Sequence, residues 1–254
     1  MLCRFAPLAM WARRSSGRKG NTEGEEGVRG LPSPDAIRCC LSEANERRCR
    51  AQLGRSQEEG KSGRPTAGVL VPLCLVQGDP SLLLTLRSSK LRGRHKGDVS
   101  FPGGKCESSD RDIIDTALRE THEELGFRLA PEHVWGTLKP LSDWSGMVVV
   151  PVLANLGALD LGEIRPDPKE VEDVFAISIQ HLCSEVNRGS THFRGQGAQV
   201  YTLPVFLKAK YKVWGMTAVM IDGLLSLLFP GAYRSTVRGS RPKVDRSLRG
   251  GPRW

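Results

Sequence analysis

Residues 104–126 read GKCESSDRDIIDTALRETHEELG, and this stretch predicts an amphipathic helix with its acidic residues near the end. Apolar residues recur at helical spacing between Ile113 and Leu125, so one face of the helix can pack against a core. Gly126 follows the last apolar position, where glycine commonly ends a helix. The predicted helix therefore covers residues 112–125.

Three carboxylates share one surface of this helix. Glu120 and Glu124 are four residues apart and Glu123 is three residues from Glu120, so their side chains are neighbours. Like charges at this spacing cost roughly 0.2–0.5 kcal/mol per pair, and a divalent cation with oxygen ligands reverses that repulsion. Arg119, four residues before Glu123, could orient or neutralise part of the cluster. Taken alone, the cluster is equally compatible with a solvated acidic face.

The segment ahead of the helix favours a functional site over a solvated acidic face. Ser100-Phe-Pro-Gly-Gly104 contains two consecutive glycines, Gly103 and Gly104, which allow tight backbone turning. Main-chain N–H groups in such a turn can approach phosphate oxygens closely. Together with the terminating Gly126, this turn makes a functional site the better interpretation of the carboxylates.

Apolar runs outside this region predict the rest of the fold. Branched and apolar residues predict strands at 68–76, 82–87 and 147–156, and a last helix at 217–229 that Pro230 ends. Strands mixed with a few helices indicate a layered α/β domain rather than a bundle or a sandwich of one element.

The opening stretch resembles the Nudix box, G-x5-E-x7-R-E-U-x-E-E-x-G-U with U aliphatic. Between Gly104 and Arg119 the chain has one residue more than this pattern. The first box glutamate therefore falls on Asp110 when counted from Gly104, or on Arg111 when counted back from Arg119, unless Glu107 replaces it. The later glutamates of the box match without ambiguity.

This resemblance implies a fold and a chemistry. The fold would be α/β, a Nudix-type α/β/α sandwich with a mixed central sheet, and the activity would be hydrolysis of a phosphoanhydride bond. Glu120 and Glu124 would bind Mg²⁺ or Mn²⁺, since oxygen ligands suit hard cations. Glu123 would complete the site or position a water, and it is the best box candidate for the catalytic general base.

The segment upstream of the box narrows the substrate. Residues 83–104 read LLTLRSSKLRGRHKGDVSFPGG and resemble the LLTxR(S/A)x3Rx3Gx3FPGG signature of the coenzyme A diphosphatase subgroup. One residue is inserted between Arg92 and Gly97. The resemblance implies hydrolysis of CoA or acyl-CoA to 3′,5′-ADP and 4′-phosphopantetheine or its acyl derivative.

Six cations precede the Gly-rich turn, and arginine forks suit the phosphates of CoA. These cations are Arg87, Lys90, Arg92, Arg94, His95 and Lys96. Any one of them could belong to a basic solvent-exposed hairpin, but as a group they favour substrate binding. The residues expected to bind substrate are Arg87, Arg92, Gly103 and Gly104.

Two other functions stay open. The inserted residues are compatible with a Nudix hydrolase for another nucleoside diphosphate-linked substrate, such as NADH, a nucleotide sugar or capped RNA. A non-catalytic Nudix-like or tail-driven binding protein is the second alternative, although the intact glutamates argue against it.

Two downstream stretches extend the resemblance. Trp214-Gly-Met-Thr-Ala218 resembles the W-G-x-T-A element of the subgroup, and Glu170-Val-Glu-Asp-Val-Phe175 resembles a strand on which Nudix proteins often carry an acidic residue. By composition alone, Trp214 is expected in the core, and Glu170 and Glu172 are expected at a solvated edge.

The chain divides into four predicted segments. These are a transit-like, disordered N-terminal segment (1–32), a helix and linker (33–66), a Nudix hydrolase domain (67–232) and a basic disordered tail (233–254). Of the formal net charge of +9, residues 1–20 contribute +5 and the tail contributes +6, so the stretch between them carries −2. Basicity confined to the ends favours a targeting signal or a solvated end over a nucleic-acid site.

The N-terminal segment indicates a protein of the mitochondrial matrix, with a cytoplasmic location as the alternative. Met1–Lys19 is rich in Arg, contains Ser and lacks acidic residues, as mitochondrial transit peptides do. The seven cysteines show no zinc-ligand spacing, which fits a reducing compartment. No run of about 18 apolar residues occurs, so no membrane span is expected. The expected partner is a small-molecule substrate.

Overall fold

The computed structural model describes residues 31–58, 65–91, 95–142, 146–194 and 200–240 of this 254-residue chain. The helices in these ranges are α1 (Pro34–Arg38), α2 (Glu43–Glu58), α3 (Ile113–Leu125), α4 (Ile179–Cys183) and α5 (Gly215–Leu228). The strands are β1 (Ala67–Val76), β2 (Asp79–Arg87), β3 (Val99–Ser100), β4 (Gly103–Lys105), β5 (Val134–Thr137), β6 (Leu141–Ser142), β7 (Val148–Ala158), β8 (Val171–Ser178), β9 (Arg188–Arg194), β10 (Val200–Phe206) and β11 (Arg238–Ser240).

The central sheet is mixed and holds eight of these strands. Its main order is β3-β2-β1-β7-β5, while β4 pairs with β1, β6 with β7 and β8 with β2. The β1–β7 pair is parallel, and the other pairs of this sheet are antiparallel. A separate antiparallel sheet has the order β11-β10-β9. The predicted α/β architecture with a mixed sheet is confirmed.

Helices cover both faces of the central sheet because side chains alternate along its strands. Leu70 of β1 and Val152 of β7 pack with Ala117 of α3. Their neighbours Val71 and Leu153 belong to the larger cluster that contains the buried apolar residues of α5. Helices α3 and α5 therefore lie on opposite faces, with the sheet as the middle layer of the sandwich.

Helix α3 has the ends that its sequence predicts. The Asp112 side chain accepts hydrogen bonds from the N–H groups of Ile114 and Asp115, both at 2.8 Å, and so caps the helix. Gly126 adopts the left-handed conformation with φ 77° and donates its N–H to the carbonyl of His122. These two ends fix where the glutamates of the helix lie along the sheet.

The N-terminal helices belong to the folded domain, which the sequence predicted to begin near Ala67. The single helix expected after Ser33 is interrupted by a 3₁₀ turn between α1 and α2. Arg48 on α2 donates to the carbonyls of Leu227 (2.7 Å) and Leu228 (3.1 Å) at the end of α5. These bonds satisfy terminal helix carbonyls and hold α2 on the domain. A local sequence pattern does not reveal contacts between residues so far apart in the chain. The folded domain therefore begins before Ala67, the start that the sequence predicted.

The predicted disordered tail is wrong for its first part. Residues 233–240 continue the fold and end in β11, which pairs with β10. Tyr233 is buried, with 6% of its surface exposed. Residues 241–254 of the predicted tail, and residues 1–30 of the transit-like segment, lie outside the described residues. No helix within the described ranges is long and apolar enough to cross a membrane.

A buried carboxylate explains why this segment is ordered. Asp222 on α5 has no exposed surface. It accepts hydrogen bonds from the Tyr233 hydroxyl (2.9 Å), the Thr236 N–H (3.1 Å) and the Ser235 hydroxyl. Because a buried carboxylate without donors is costly, the residues after α5 fold back onto it.

We expect Tyr233→Phe to lower the free energy of unfolding by about 1.5–3 kcal/mol, because it removes a hydrogen bond to a buried charged acceptor. Chemical denaturation measures this loss. Tyr211→Phe is the matched control, since Tyr211 is less buried than Tyr233 and interacts with Asp173, a carboxylate more exposed than Asp222, so removal of its hydroxyl should cost less. Equal losses from the two variants would contradict the role given to the burial of Asp222.

Candidate active site

Arg119 and Asp110 form the central ion pair of the site. Arg119 donates from Nε to Asp110 Oδ1 (2.8 Å) and from Nη2 to Asp110 Oδ2 (3.1 Å). The Asp110 side chain is 6% exposed, and its bonds to Arg119 hold the pKa of its carboxyl well below the usual range. The Thr116 hydroxyl and the Glu107 N–H donate to the same carboxylate, each at 2.8 Å. This pair fixes the loop before α3 against the helix.

The contacts of Arg119 also show which of three residues takes the place of the first glutamate of the Nudix box. The sequence left Glu107, Asp110 and Arg111 as candidates. Arg111 is exposed and pairs with Asp115. Glu107 is also mostly exposed, and its Oε1 lies 3.9 Å from Arg119 Nη1. Asp110 is the candidate that is buried and hydrogen-bonded to Arg119 through both oxygens. Asp110 therefore takes this position.

The guanidinium of Arg119 also orients two of the predicted carboxylates. Its Nη1 lies 3.1 Å from Glu120 Oε1 and 3.2 Å from Glu123 Oε2, and its Nη2 donates to the carbonyl of Lys105 in β4 (3.1 Å). The expectation that Arg119 orients part of the cluster is confirmed. The Glu123 side chain is 55% exposed, against 16% for Glu120, so Glu123 stands at the rim of the site.

Glu124 is the deeply buried carboxylate of the cluster, with 3% of the residue exposed. Burial raises the pKa of its carboxyl from 4.5 to about 8, and the nearby Arg87 and Gly103 N–H oppose only part of that rise. The Gly103 N–H donates to Glu124 Oε2 at 3.3 Å, and Arg87 Nη1 lies 3.8 Å from Glu124 Oε1. Burial also raises the pKa of Glu120. A buried carboxylate with such long contacts is suited to binding a cation.

Gly103 and Gly104 allow the loop to lie against both the sheet and α3. A Cβ added to Gly104 would stand 2.5 Å from Glu120 Oε2. A Cβ added to Gly103, whose φ is 147°, would stand 2.5 Å from the Cα of Val69 in β1. From the sequence, these glycines were expected to let phosphate oxygens approach the main-chain N–H groups of the loop. The structure shows that the carboxylate of Glu120 and the backbone of β1 require them as well.

Two acidic residues at the start of β8 have specific neighbours, although composition placed them at a solvated edge. Both side chains are exposed, as that expectation requires. Glu170 precedes Val171, which pairs with Arg87, and Arg87 reaches Glu124. Beyond the effect of burial, the charge of Glu170 adds to the rise in the pKa of Glu120 and Glu124. Glu172 Oε2 accepts a hydrogen bond from the Ser89 N–H (3.0 Å), which lowers the pKa of Glu172.

The basic segment after β2 adjoins the same site. Arg87 is the last residue of β2 and brings its guanidinium to the carboxylate cluster. The Ser88 N–H donates to the carbonyl of Glu170 (2.8 Å), which ties this segment to the start of β8. Arg92, the other arginine expected to bind substrate, lies outside the described residues.

The donor atoms fit a hard divalent cation that also takes ligands from water and substrate. Within the described ranges, no group of three His, Cys, Asp or Glu side chains is arranged to hold a metal ion by itself. Glu120 and Glu124 nevertheless offer oxygen ligands from neighbouring positions of α3, and the burial of Glu124 leaves its charge poorly balanced. Mg²⁺ commonly binds through one or two carboxylates together with water and substrate phosphates.

Comparison with known proteins identifies the family. The family model for the NUDIX domain matches residues 64–194. This chain therefore belongs to the Nudix family, and the predicted Nudix fold is confirmed.

The chain is similar to two curated mammalian proteins over nearly their whole lengths. It is 54% identical over 197 residues to the mitochondrial coenzyme A diphosphatase NUDT8 of Mus musculus, covering 78% of this chain and 94% of that protein. It is 52% identical over 200 residues to the protein of the same name from Homo sapiens, covering 79% of this chain and 85% of that protein. A solved MutT/nudix family protein from Enterococcus faecalis aligns with a TM-score of 0.41 and 17% identity, over 71% of this chain and 72% of that chain.

The raised pKa of Glu124 makes the stability of the metal-free protein depend on pH. The pKa of the Glu124 carboxyl rises from 4.5 to about 8 on folding, so the folded state binds the carboxyl proton more tightly than the unfolded state does. The free energy of unfolding therefore falls as pH rises between those two values. The low pKa of Asp110 acts below this window, so it does not reverse the trend. We expect Tm of the metal-free protein to fall by roughly 5–10 °C between about pH 5.5 and pH 8.5.

If Glu124 is a metal ligand, Mg²⁺ should restore Tm at the upper end of this range, because a metal ion binds the deprotonated form of a carboxyl ligand. Thermal melts with and without Mg²⁺ measure both effects. Glu124→Gln is the control and should lose most of the pH-dependent fall and of the rescue. A flat pH profile in the unmodified protein would contradict the burial argument.

Gly104→Ala should displace the Glu120 carboxylate without unfolding the protein. The added Cβ meets the far end of a flexible side chain, so the chain can adapt by moving Glu120. We expect roughly ten-fold weaker binding of Mn²⁺, measured by calorimetry. Gly223→Ala is the matched control, because an added Cβ there meets no atom within 4 Å. Unchanged Mn²⁺ affinity in Gly104→Ala would show that the position of Glu120 does not matter for metal binding.

Proposed function

We propose that this chain hydrolyses the diphosphate bond of CoA and acyl-CoA, releasing 3′,5′-ADP and 4′-phosphopantetheine or its acyl derivative. The observation that carries this proposal is the 54% identity to the mouse mitochondrial coenzyme A diphosphatase, which extends over 94% of that protein. The signature at residues 83–104 supports it, since its Arg87 adjoins the carboxylate cluster. As a member of the Nudix family, the chain is a hydrolase that uses a divalent metal ion.

Glu120 and Glu124 would hold that ion, which we propose to be Mg²⁺ or Mn²⁺. When bound, the ion would supply positive charge against the diphosphate and would lower the pKa of a nearby water. Arg119 keeps the Glu120 carboxylate in place. Glu124 must give up the proton that its burial favours before it can act as a ligand.

The general base would be Glu123. Its carboxylate stands at the rim, where water reaches it, and Arg119 Nη1 lies 3.2 Å from it, which orients the side chain. A base must lie within reach of the attacking water in the bound complex. Glu170 is the alternative carboxylate, because it is exposed and lies beside Glu120 and Glu124.

Arg87, Arg92 and the backbone at Gly103 and Gly104 would bind the phosphates of the substrate. Arginine presents several donors in a fixed fork, which suits phosphate oxygens. The Arg87 side chain is 28% exposed, so it can contact the buried carboxylate and a ligand in solvent.

We also propose a mitochondrial location, in the matrix. The basic, acid-free residues 1–20 support it, and so does the word mitochondrial in the names of the mouse and human relatives. The proposed partner is the small-molecule substrate, CoA or acyl-CoA.

A substrate panel tests the function. The full chain is incubated with Mg²⁺ or Mn²⁺ and with CoA, acyl-CoA, NADH, ADP-ribose and capped RNA, and products are separated by chromatography. We expect cleavage of CoA and acyl-CoA, and loss of roughly 100-fold or more of this activity in Glu124→Gln, because that variant removes a ligand charge. Glu132→Gln makes the same charge change at an exposed position away from the cluster and should retain activity.

The outcomes of the panel are distinct. Cleavage of NADH or capped RNA without cleavage of CoA compounds would favour the Nudix hydrolase of other specificity. No cleavage of any compound would favour a non-catalytic binding protein. Full activity in Glu124→Gln would refute the assignment of that residue as a metal ligand.

A further inference from the structure

Trp214 occupies a position that neither the core nor the helix explains. The residue is 37% exposed, although composition predicted it in the core. It stands at the N-cap of α5, where Ser, Thr, Asp and Asn are preferred, and its side chain makes no capping hydrogen bond. The exposed part of this ring neither packs in the interior nor caps the helix, and contact with a ligand would account for it.

A cation lies close to this ring. Lys212 Nζ is 5.8 Å from the centroid of the Trp214 ring. The neighbouring Lys210 is held by Asp173 on β8, at 2.7 Å. Lys212, by contrast, makes no ion pair with an acidic residue in the part of the chain that the structure describes. Its charge is therefore available to a ligand.

The pair lies at the end of the sheet that carries the candidate active site. Asp173 of β8, Leu86 of β2 and Val99 of β3 form one row across the sheet. The hydroxyl of Thr217, in the first turn of α5, donates to the carbonyl of Val99 (3.0 Å) and so fixes the start of that helix over the row. The next residue of β2 is Arg87, which reaches the carboxylate cluster. One extended ligand could therefore contact both places.

We infer that Trp214 and Lys212 bind the 3′-phosphoadenosine end of CoA, an inference that rests on the proposed function. Adenine stacks on aromatic side chains, and an ammonium group binds phosphate as a compact point charge. In 3′-phosphoadenosine the phosphate is carried by the ribose next to the base, so one aromatic ring and one neighbouring cation match it. NADH and ADP-ribose carry no 3′-phosphate, and this pair would therefore favour CoA over them.

Ligand binding to the full chain tests the inference without requiring turnover. Adenosine 3′,5′-bisphosphate and AMP differ only by the 3′-phosphate, and calorimetry measures Kd for each. We expect Lys212→Gln to weaken binding of the bisphosphate roughly ten-fold while changing AMP binding less than about two-fold. We expect Trp214→Ala to weaken both ligands roughly ten-fold and Trp214→Phe to retain most of the affinity.

Two controls separate loss of the proposed subsite from a general loss of charge or of folding. Lys139→Gln removes the same charge from an exposed residue between β5 and β6, and it should bind both ligands as the unmodified chain does. Thermal melts check that each variant is folded, and Trp214→Leu, which keeps an apolar side chain without the ring, replaces Trp214→Ala if the latter unfolds.

Three results would overturn the inference. Equal weakening of both ligands by Lys212→Gln would remove the role of the lysine, and unchanged binding in folded Trp214→Ala or Trp214→Leu would remove the role of the ring. No binding of the bisphosphate to the unmodified chain would remove the subsite altogether. Bisphosphate binding without hydrolysis of CoA would instead count against the proposed function and leave the subsite standing.

Discussion

The bidentate ion pair between Arg119 and Asp110 is the constraint on which the rest of the site depends. From its place on α3, one planar guanidinium holds the loop through Asp110 and β4 through the carbonyl of Lys105, and it also orients Glu120 and Glu123 of its own helix. Arginine can do this because its donors are fixed in a fork, whereas lysine offers a single point charge. Loop, strand and helix are thus held in one arrangement before any ligand binds.

Glu124 is the glutamate of the cluster that Arg119 does not contact. This carboxylate is buried, Arg87 stays 3.8 Å away, and the nearby Glu170 adds repulsion. A fold selected for stability alone would not bury such a group, but local conflicts of this kind are expected where a protein binds ligands. A divalent cation held by Glu124, as we propose, would relieve this conflict and link the burial of that carboxylate to the chemistry of the site.

Local patterns predicted the parts of the molecule that local chemistry determines. The ends of α3 at Asp112 and Gly126, the strands β1, β2 and β7 and the three glutamates all follow from neighbouring residues. The contacts of Arg48 with α5 and of Asp222 with the chain after it depend on residues that only folding brings together, so the domain boundaries were missed. Trp214 was expected in the core because composition describes the average tryptophan, and this one is an exception.

The extra residue before α3 shows that the box is defined by a pairing rather than by a count. The chain turns between Glu107 and Asp110, where the Glu107 N–H donates to Asp110 Oδ2 and the Asp110 N–H donates to the Glu107 carbonyl (3.2 Å). Asp110 stands where the count from Gly104 puts the box glutamate, so the extra residue lies after this turn, between Asp110 and Arg119. Arg111 and Asp112, which lead into α3, are exposed, and surface loops accommodate added length at little cost in free energy. Aspartate is one methylene shorter than the glutamate of the pattern, and the chain between Asp110 and Arg119 is one residue longer, yet the shorter side chain still reaches the guanidinium. The geometry around Arg119 is kept, and with it the position of every glutamate on α3.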